Sequence, residues 1–124
     1  MKKIIETIES ALAKYRLTFG DELTLQNQIE EIFEKEGIEF EREVVLDKAS
    51  RLDFAIPFAP GDWHVWALEI KIGGSVDSHL RQLKRYNGHP DVVGTILIGT
   101  RPFALPETLG GKPVGMINIG GRRL

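Results

Sequence analysis

Residues 51–72 read RLDFAIPFAPGDWHVWALEIKI, and residues 73–88 continue as GGSVDSHLRQLKRYNG. The first segment holds two strand-like runs, about 51–58 and 65–72, separated by the turn-forming sequence Pro60-Gly61-Asp62. The Gly73-Gly74 pair ends the second run, and residues 76–88 then follow helical periodicity up to Gly88. This order predicts an antiparallel strand pair followed by a helix.

Further elements extend this unit in both directions. Residues 39–46 form another strand-like run before the turn 48–50, so residues 39–72 together predict an antiparallel meander. The apolar run 92–100 is typical of a buried strand, and a last short strand is expected at 114–119. Between them, residues 101–113 contain three prolines and two glycines, which predicts an irregular loop, either mobile or partner-binding.

Two amphipathic helices precede the strands. The first spans about residues 2–16, with Ile8 and Tyr15 on its apolar stripe, and the second spans about 22–36, with Asp21 as N-cap and Gly37 as its stop. The expected fold is therefore α/β, with a central mixed sheet flanked by helices. The 124 residues fit a single domain, 1–124, with a core at about 21–119 and an extra N-terminal helix.

Composition excludes several kinds of site. The sequence has no cysteine, which removes disulfides, thiolate zinc sites and a cysteine nucleophile and fits a cytoplasmic protein. Glu6 and Glu9 interrupt the apolar run that a secretory signal needs, and the sequence contains no transmembrane stretch, so we expect no membrane partner. A net charge of −2 does not favour general nucleic-acid binding, although Arg81, Lys84 and Arg85 cluster on one predicted helix.

Strand parity predicts which side chains share a face of the sheet. It places Asp53 on the face of its strand opposite the apolar side chains, and it places Glu69 and Lys71 together on the face opposite Ile70. The two predicted apolar sides are Leu52, Phe54, Ile56 and Phe58 in one strand and Trp66, Leu68, Ile70 and Ile72 in the next. If the strands pair, Asp53 and Glu69 come together at one place on the sheet.

Two carboxylates in this position could share a divalent cation, with the Ile70 carbonyl as a further ligand. Mg²⁺ suits such a site because it takes few protein carboxylates and keeps several waters. Lys71 could orient or deprotonate an attacking water, or stabilise charge on a phosphate, and the sequence leaves these roles open. A solvated surface ion pair between Glu69 and Lys71 is the alternative interpretation.

Further candidates lie on the helices. Glu22 stands one turn before Leu25 on the apolar stripe of its helix, where acids are normally unwelcome, although a helix dipole alone favours an acid in a first turn. Gln26 and Glu30 are the fallback acidic and polar candidates. Gln82 and Tyr86 share a helical face, where Gln82 could reach a phosphate, a water or a metal ligand with support from Tyr86, or could simply pack.

These residues resemble the PD-(D/E)xK phosphodiesterase superfamily, the restriction-endonuclease-like nucleases, from about residue 21 to 100. Asp53 resembles the first metal-binding aspartate of that family, Glu69-Ile70-Lys71 resembles its (D/E)xK tripeptide, and Glu22 resembles its helical acid. The segment 82–86, QLKRY, is similar to the Q-x-x-x-Y motif of the RecB-like branch. Leu52 stands where the family pattern has proline.

The resemblance implies a restriction-endonuclease-like core and a deoxyribonuclease that uses Mg²⁺ or Mn²⁺ to leave 5′-phosphate and 3′-hydroxyl ends. It implies catalytic roles for Glu22, Asp53, Glu69, Lys71 and Gln82, with metal ligands at Glu22, Asp53, Glu69 and Ile70. DNA contacts are then expected at Arg81, Lys84, Arg85 and Tyr86, and analogy with small nucleases favours a homodimer. The alternative is a noncatalytic nucleic-acid-binding or protein-interaction module on the same fold.

Overall fold

A computed structural model describes residues 1–120 of the chain. It has a six-stranded mixed sheet with the strand order β1-β2-β3-β4-β6-β5 and three flanking helices. The predicted α/β class and mixed sheet are therefore confirmed. The elements are α1 Lys2–Leu12, α2 Glu22–Lys35, β1 Glu41–Asp47, β2 Ser50–Pro57, β3 Val65–Lys71, α3 Val76–Asn87, β4 Val92–Gly99, β5 Thr108–Leu109 and β6 Lys112–Asn118.

The sheet changes from antiparallel to parallel in the middle. Strands β1, β2 and β3 form the predicted antiparallel meander, whereas β3, β4 and β6 are parallel neighbours. Helix α3 makes the crossover from β3 to β4 and must therefore lie on one face of the sheet. The ends of β3 and β4 consequently lie side by side, next to the start of α3.

Local capping explains where the helices begin and end. Asp21 accepts a hydrogen bond from the Thr24 N–H at 2.8 Å, as predicted for an N-cap, and Gly37 follows α2 with a φ of 71°. Helix α1 is shorter than predicted and ends at Leu12. Tyr15 lies beyond it and donates its hydroxyl to Glu36 at 2.7 Å, so this residue anchors the connection to α2 instead of extending α1.

Helices α1 and α2 cover one face of the sheet. Their buried side chains pack with Phe54, Leu68 and Ile70 in the main core. A Cβ added at Gly115 of β6 would lie 2.5 Å from Ile5 Cδ1, so α1 crosses β6 closely. Helix α3 covers the other face. None of the helices in residues 1–120 is long and apolar enough to span a bilayer.

The prediction of an irregular loop at 101–113 is wrong for its second half. Thr108–Leu109 forms β5, which pairs with Lys112 and Pro113 around Gly110 and Gly111. Both glycines have left-handed φ angles, 58° and 79°, and this conformation favours a two-residue hairpin turn. A strand of two residues is too short to show an alternating pattern, which explains why periodicity missed it.

The predicted face of Leu52 is also wrong. Leu52 packs with Ala55, Ala67 and Tyr86 on the α3 face, whereas Phe54 and Ile56 belong to the main core. The alternation along β2 is therefore interrupted at Asp53. On β1, the residue opposite Asp53 in the register is Glu43, which has a left-handed φ of 54°, so both strands are distorted at the same level.

Candidate active site at the β2–β3 fork

The distortion at Asp53 opens a gap between two strands. The pairing of β2 with β3 ends at Phe54 opposite Leu68, while the pairing of β3 with β4 continues to Lys71 opposite Gly99. We call this gap, with Asp53, Glu69, Ile70 and Lys71 around it, the β2–β3 fork. Asp53 Oδ2 accepts the Ile70 N–H at 2.8 Å. The Asp53 side chain thus replaces the β2 backbone as the hydrogen-bond partner of Ile70, beyond the point where the pairing of β2 with β3 ends.

Two carboxylates approach each other in the fork. Asp53 is half-buried, and Glu69 is 3% exposed. Burial raises the pKa of Asp53, and the charge of Glu22 adds to that rise. Burial and the charge of Asp53 raise the pKa of Glu69 to about 7. Asp53 bonds the N–H of the residue that follows Glu69, and each carboxylate is harder to ionise than an isolated acid.

Lys71 supplies the positive charge at the fork. Its Nζ lies 3.3 Å from Glu69 Oε2, and its side chain is 20% exposed. The ammonium lowers the pKa of both Asp53 and Glu69, although burial outweighs that effect. Strand parity correctly placed Glu69 and Lys71 on the same face, because β3 is regular from Trp66 to Lys71.

Tyr86 connects the fork to α3. Its buried hydroxyl lies 3.3 Å from Glu69 Oε1 and 2.9 Å from the Arg51 carbonyl oxygen, and it accepts a hydrogen bond from Gln82 Nε2 at 2.8 Å. Burial and the charge of Glu69 raise the pKa of Tyr86, so the phenol keeps its proton. Tyr86 therefore contacts the acid directly, and Gln82 contacts Tyr86.

This arrangement corrects one sequence expectation. Tyr86 is only 1% exposed and cannot serve as a surface contact for a nucleic acid. The resemblance implied a DNA contact at Tyr86, but its side chain lies on the inner side of α3. Arg81, Lys84 and Arg85 are exposed on the outer side, and Arg85 Nε also donates to Ser50 Oγ at 3.1 Å.

Glu22 enters the fork from the opposite face of the sheet. It is the first residue of α2, and its Oε1 lies 3.4 Å from the Ile72 N–H. Its charge contributes to the raised pKa of Asp53. The fallback candidates Gln26 and Glu30 instead bind Arg42, at 3.1 Å each.

His79 is a buried residue near the fork that the sequence patterns do not identify. Its ring is 3% exposed, and its Nε2 bonds the Gly73 carbonyl oxygen at 2.9 Å. Burial is the main cause that lowers the pKa of His79, and the charge of Lys71 acts in the same direction. The signal in the sequence is a histidine four residues beyond the Ser75 N-cap, shortly after the glycine turn, and such a position does not by itself indicate a function.

The donor chemistry of the fork fits a hard divalent cation. No group of three or more His, Cys, Asp or Glu side chains within residues 1–120 is arranged to hold a metal ion. Mg²⁺ needs less than that, because one or two carboxylates, a carbonyl and several waters complete its octahedron. A cation between Asp53 and Glu69 would offset the burial and repulsion that raise their pKa values.

Comparisons of the chain with protein-family models, curated proteins and solved structures found no match. The chemistry of the fork is therefore the main guide to function. It combines one buried and one half-buried carboxylate, one ammonium and a backbone edge in a gap of the sheet. Such a group can hold a divalent cation and place a positive charge beside a bound phosphate or water.

Proposed function

We propose that this protein is a metal-dependent deoxyribonuclease with a restriction-endonuclease-like core. It would hydrolyse DNA phosphodiester bonds to 5′-phosphate and 3′-hydroxyl ends with Mg²⁺ or Mn²⁺. The observation that carries this proposal is the meeting of Asp53, Glu69 and Lys71 at the β2–β3 fork, with Glu69 Oε2 3.3 Å from Lys71 Nζ. The same three residues carry the resemblance to that nuclease superfamily.

Asp53 and Glu69 would hold the cation, with the Ile70 carbonyl as a third protein oxygen. The Ile70 N–H points to Asp53, and in a strand the N–H and C=O of one residue face the same neighbour, so this carbonyl also faces the fork. When bound, Mg²⁺ would polarise the phosphate and lower the pKa of a bound water. Glu22, at the opening, would complete the acidic surroundings or orient a metal-bound water.

Lys71 would act on the attacking water or on the charge that develops on phosphate. Its ammonium is partly exposed while it pairs with Glu69, so it can exchange that partner for a substrate oxygen. Tyr86 holds Glu69 from behind, and Gln82 holds Tyr86. In this proposal Gln82 supports the carboxylate through Tyr86, in addition to any contact with a substrate or a water.

DNA would approach along the outer side of α3. The exposed cations Arg81, Lys84 and Arg85 would bind phosphates there, since backbone contacts of this kind supply most nonspecific affinity. The opposite side of the fork carries the acidic α2, which disfavours a path along that helix. A homodimer would give the two active sites that double-strand cleavage needs.

The test is a cleavage panel with single-stranded, duplex and branched DNA and the matching RNA forms, with Mg²⁺, Mn²⁺ or EDTA. We expect metal-dependent cleavage of DNA by the wild type. Asp53→Asn and Glu69→Gln should each reduce the rate by roughly a thousandfold or more, because each removes a charged metal ligand. The Asn amide oxygen can still accept the Ile70 N–H, so Asp53→Asn preserves the fold.

Asp62→Asn is the matched control. Asp62 is also a half-buried carboxylate that accepts a backbone N–H, from His64 at 2.9 Å, but it lies in the turn at the other end of the β2–β3 hairpin. The Asp62→Asn protein should cleave DNA at the rate of the wild type. Intact substrates together with no binding of a divalent ion would refute the nuclease proposal, and metal-independent DNA binding without products would favour the noncatalytic module. A fully active Lys71→Ala protein would remove only the role of the lysine.

A further inference from the structure

The turn directly after Lys71 is held by side chains from two other parts of the fold. Three successive carbonyl oxygens in this turn each accept one hydrogen bond, two of them from residues directly after β4 and one from a residue of α3. The bonds join Thr100 Oγ1 to Ile72 O at 3.0 Å, His79 Nε2 to Gly73 O at 2.9 Å and Arg101 Nη2 to Gly74 O at 2.8 Å.

His79 is the buried member of this group. Because a carbonyl oxygen can only accept, the Nε2 of His79 carries the proton in its bond to Gly73. The edge of the ring contacts Phe103, with centroids 4.9 Å apart and planes at 89°. On the other side, a Cβ added at Gly74, whose φ is 91°, would lie 2.7 Å from His79 Cε1. The ring is thus enclosed between Phe103 and the turn.

The turn needs this support because β3 is held on only one side at its end. Lys71 pairs with Gly99 of β4, but the pairing with β2 ends three residues earlier, at Leu68. The fork that exposes the carboxylates therefore also removes a neighbouring strand from the segment that carries Lys71. Fixing the carbonyls of the next three residues restricts where the lysine backbone, and so its ammonium, can lie.

We propose that His79 is a positioning residue for Lys71, acting through the Gly73-Gly74 turn. This inference rests on the proposed nuclease activity. His79 makes its hydrogen bond to the backbone of the turn and its ring contact to Phe103, so it serves neither as a metal ligand nor as a DNA contact. Its loss should change the placement of Lys71 and the rate of the chemical step, with little change in substrate affinity.

His79→Phe tests this directly, because phenylalanine keeps an aromatic ring against Phe103 but cannot donate to Gly73. We expect kcat to fall about tenfold to a hundredfold with KM for DNA within about twofold, since small misplacements of catalytic groups cost this much. The ¹⁵N order parameters of Gly73 and Gly74 should fall from about 0.85 towards 0.6. His79→Gln, which restores an N–H donor, should recover part of both losses.

Asn87→Leu is the matched control. Asn87 is also a buried α3 residue that donates to loop carbonyls, at Leu109 (3.0 Å) and Lys112 (3.4 Å), but it lies at the far end of the helix. It should lower the melting temperature while kcat stays within about twofold of the wild type. Unchanged order parameters in His79→Phe, or a mobile turn with wild-type kcat, would overturn the inference. A wild type that does not cleave would instead refute the nuclease proposal.

Discussion

Two charged clusters lie side by side on the β1–β2–β3 meander, and they are built in opposite ways. Arg42, opposite Phe54 in the register, bonds Asn27, Glu30 and Gln26, so one cation meets one anion and two neutral amides. At the neighbouring Asp53, two carboxylates share the single ammonium of Lys71. The Arg42 cluster balances its charge, whereas the fork has one negative charge in excess.

The two clusters therefore differ in what they contribute to stability. A partly exposed ion pair of the Arg42 kind connects α2 to β1, although its buried Nε still lacks a partner among residues 1–120. A buried cluster with excess charge costs stability, and such a cluster is the kind of feature that marks a candidate functional site. The raised pKa values of Asp53 and Glu69 reflect that cost, and they determine whether the free energy of unfolding rises or falls with pH.

The largest expected effect is a loss of stability of the metal-free protein as the pH rises. The pKa of Glu69 is 4.5 in an ordinary environment and about 7 in the fold. Between these values the folded state binds a proton that the unfolded state has released, so the free energy of unfolding falls as the pH increases. The total loss by pH 8 should be roughly 3 kcal/mol, measured by urea unfolding in EDTA from pH 4 to 8.

Glu69→Gln should flatten this pH dependence and make the metal-free protein more stable than the wild type at pH 8, because the buried charge is gone. Added Mg²⁺ should stabilise the wild type more at pH 8 than at pH 5, since the carboxylate must be ionised to bind it. A Glu69→Gln protein that is less stable than the wild type at pH 8 would show that the pair with Lys71 is a structural ion pair. The contrast with the Arg42 cluster would then disappear.

Sequence patterns predicted the parts of this site that lie on regular elements. The alternation along β3 placed Glu69 and Lys71 together, and helical spacing placed Gln82 beside Tyr86, because both elements keep their period. The turn residues also predicted the meander that brings Asp53 to β3. These features depend on local geometry, which a single sequence encodes directly.

The parts that the sequence did not predict depend on departures from regularity. Leu52 changes face because β2 is distorted at Asp53, level with the left-handed Glu43 of the facing strand. The burial of Tyr86 depends on how α3 rotates over the sheet, and the contact of His79 with Phe103 joins segments more than twenty residues apart. Parity and periodicity hold no information about such packing between elements.

A smaller effect is expected for Tyr86→Phe. The hydroxyl accepts from Gln82 and donates to the Arg51 carbonyl or to Glu69, so its removal leaves buried polar groups without partners. The loss of stability should be about 1–3 kcal/mol, measured by urea unfolding at pH 5.

Tyr15→Phe is the control for this change, because that hydroxyl bonds Glu36 in a more exposed place, and it should cost less stability than Tyr86→Phe. Equal losses of stability in the two tyrosine variants would mean that the Tyr86 hydroxyl contributes no more to the fork than the Tyr15 hydroxyl contributes to its contact with Glu36. The network that holds Glu69 would then lie elsewhere.

The smallest effect is expected in the balanced cluster. Glu30→Gln removes the anion that lies 3.1 Å from Arg42 Nη1, but the amide oxygen of glutamine can still accept, and Asn27 and Gln26 remain in place. The variant should therefore lose about 1 kcal/mol or less, and the loss should shrink with added salt because the pair is partly exposed. Its sign is opposite to that of Glu69→Gln at pH 8. A stabilising Glu30→Gln change, measured by urea unfolding, would mean that charge burial on this meander is costly everywhere and marks no particular site.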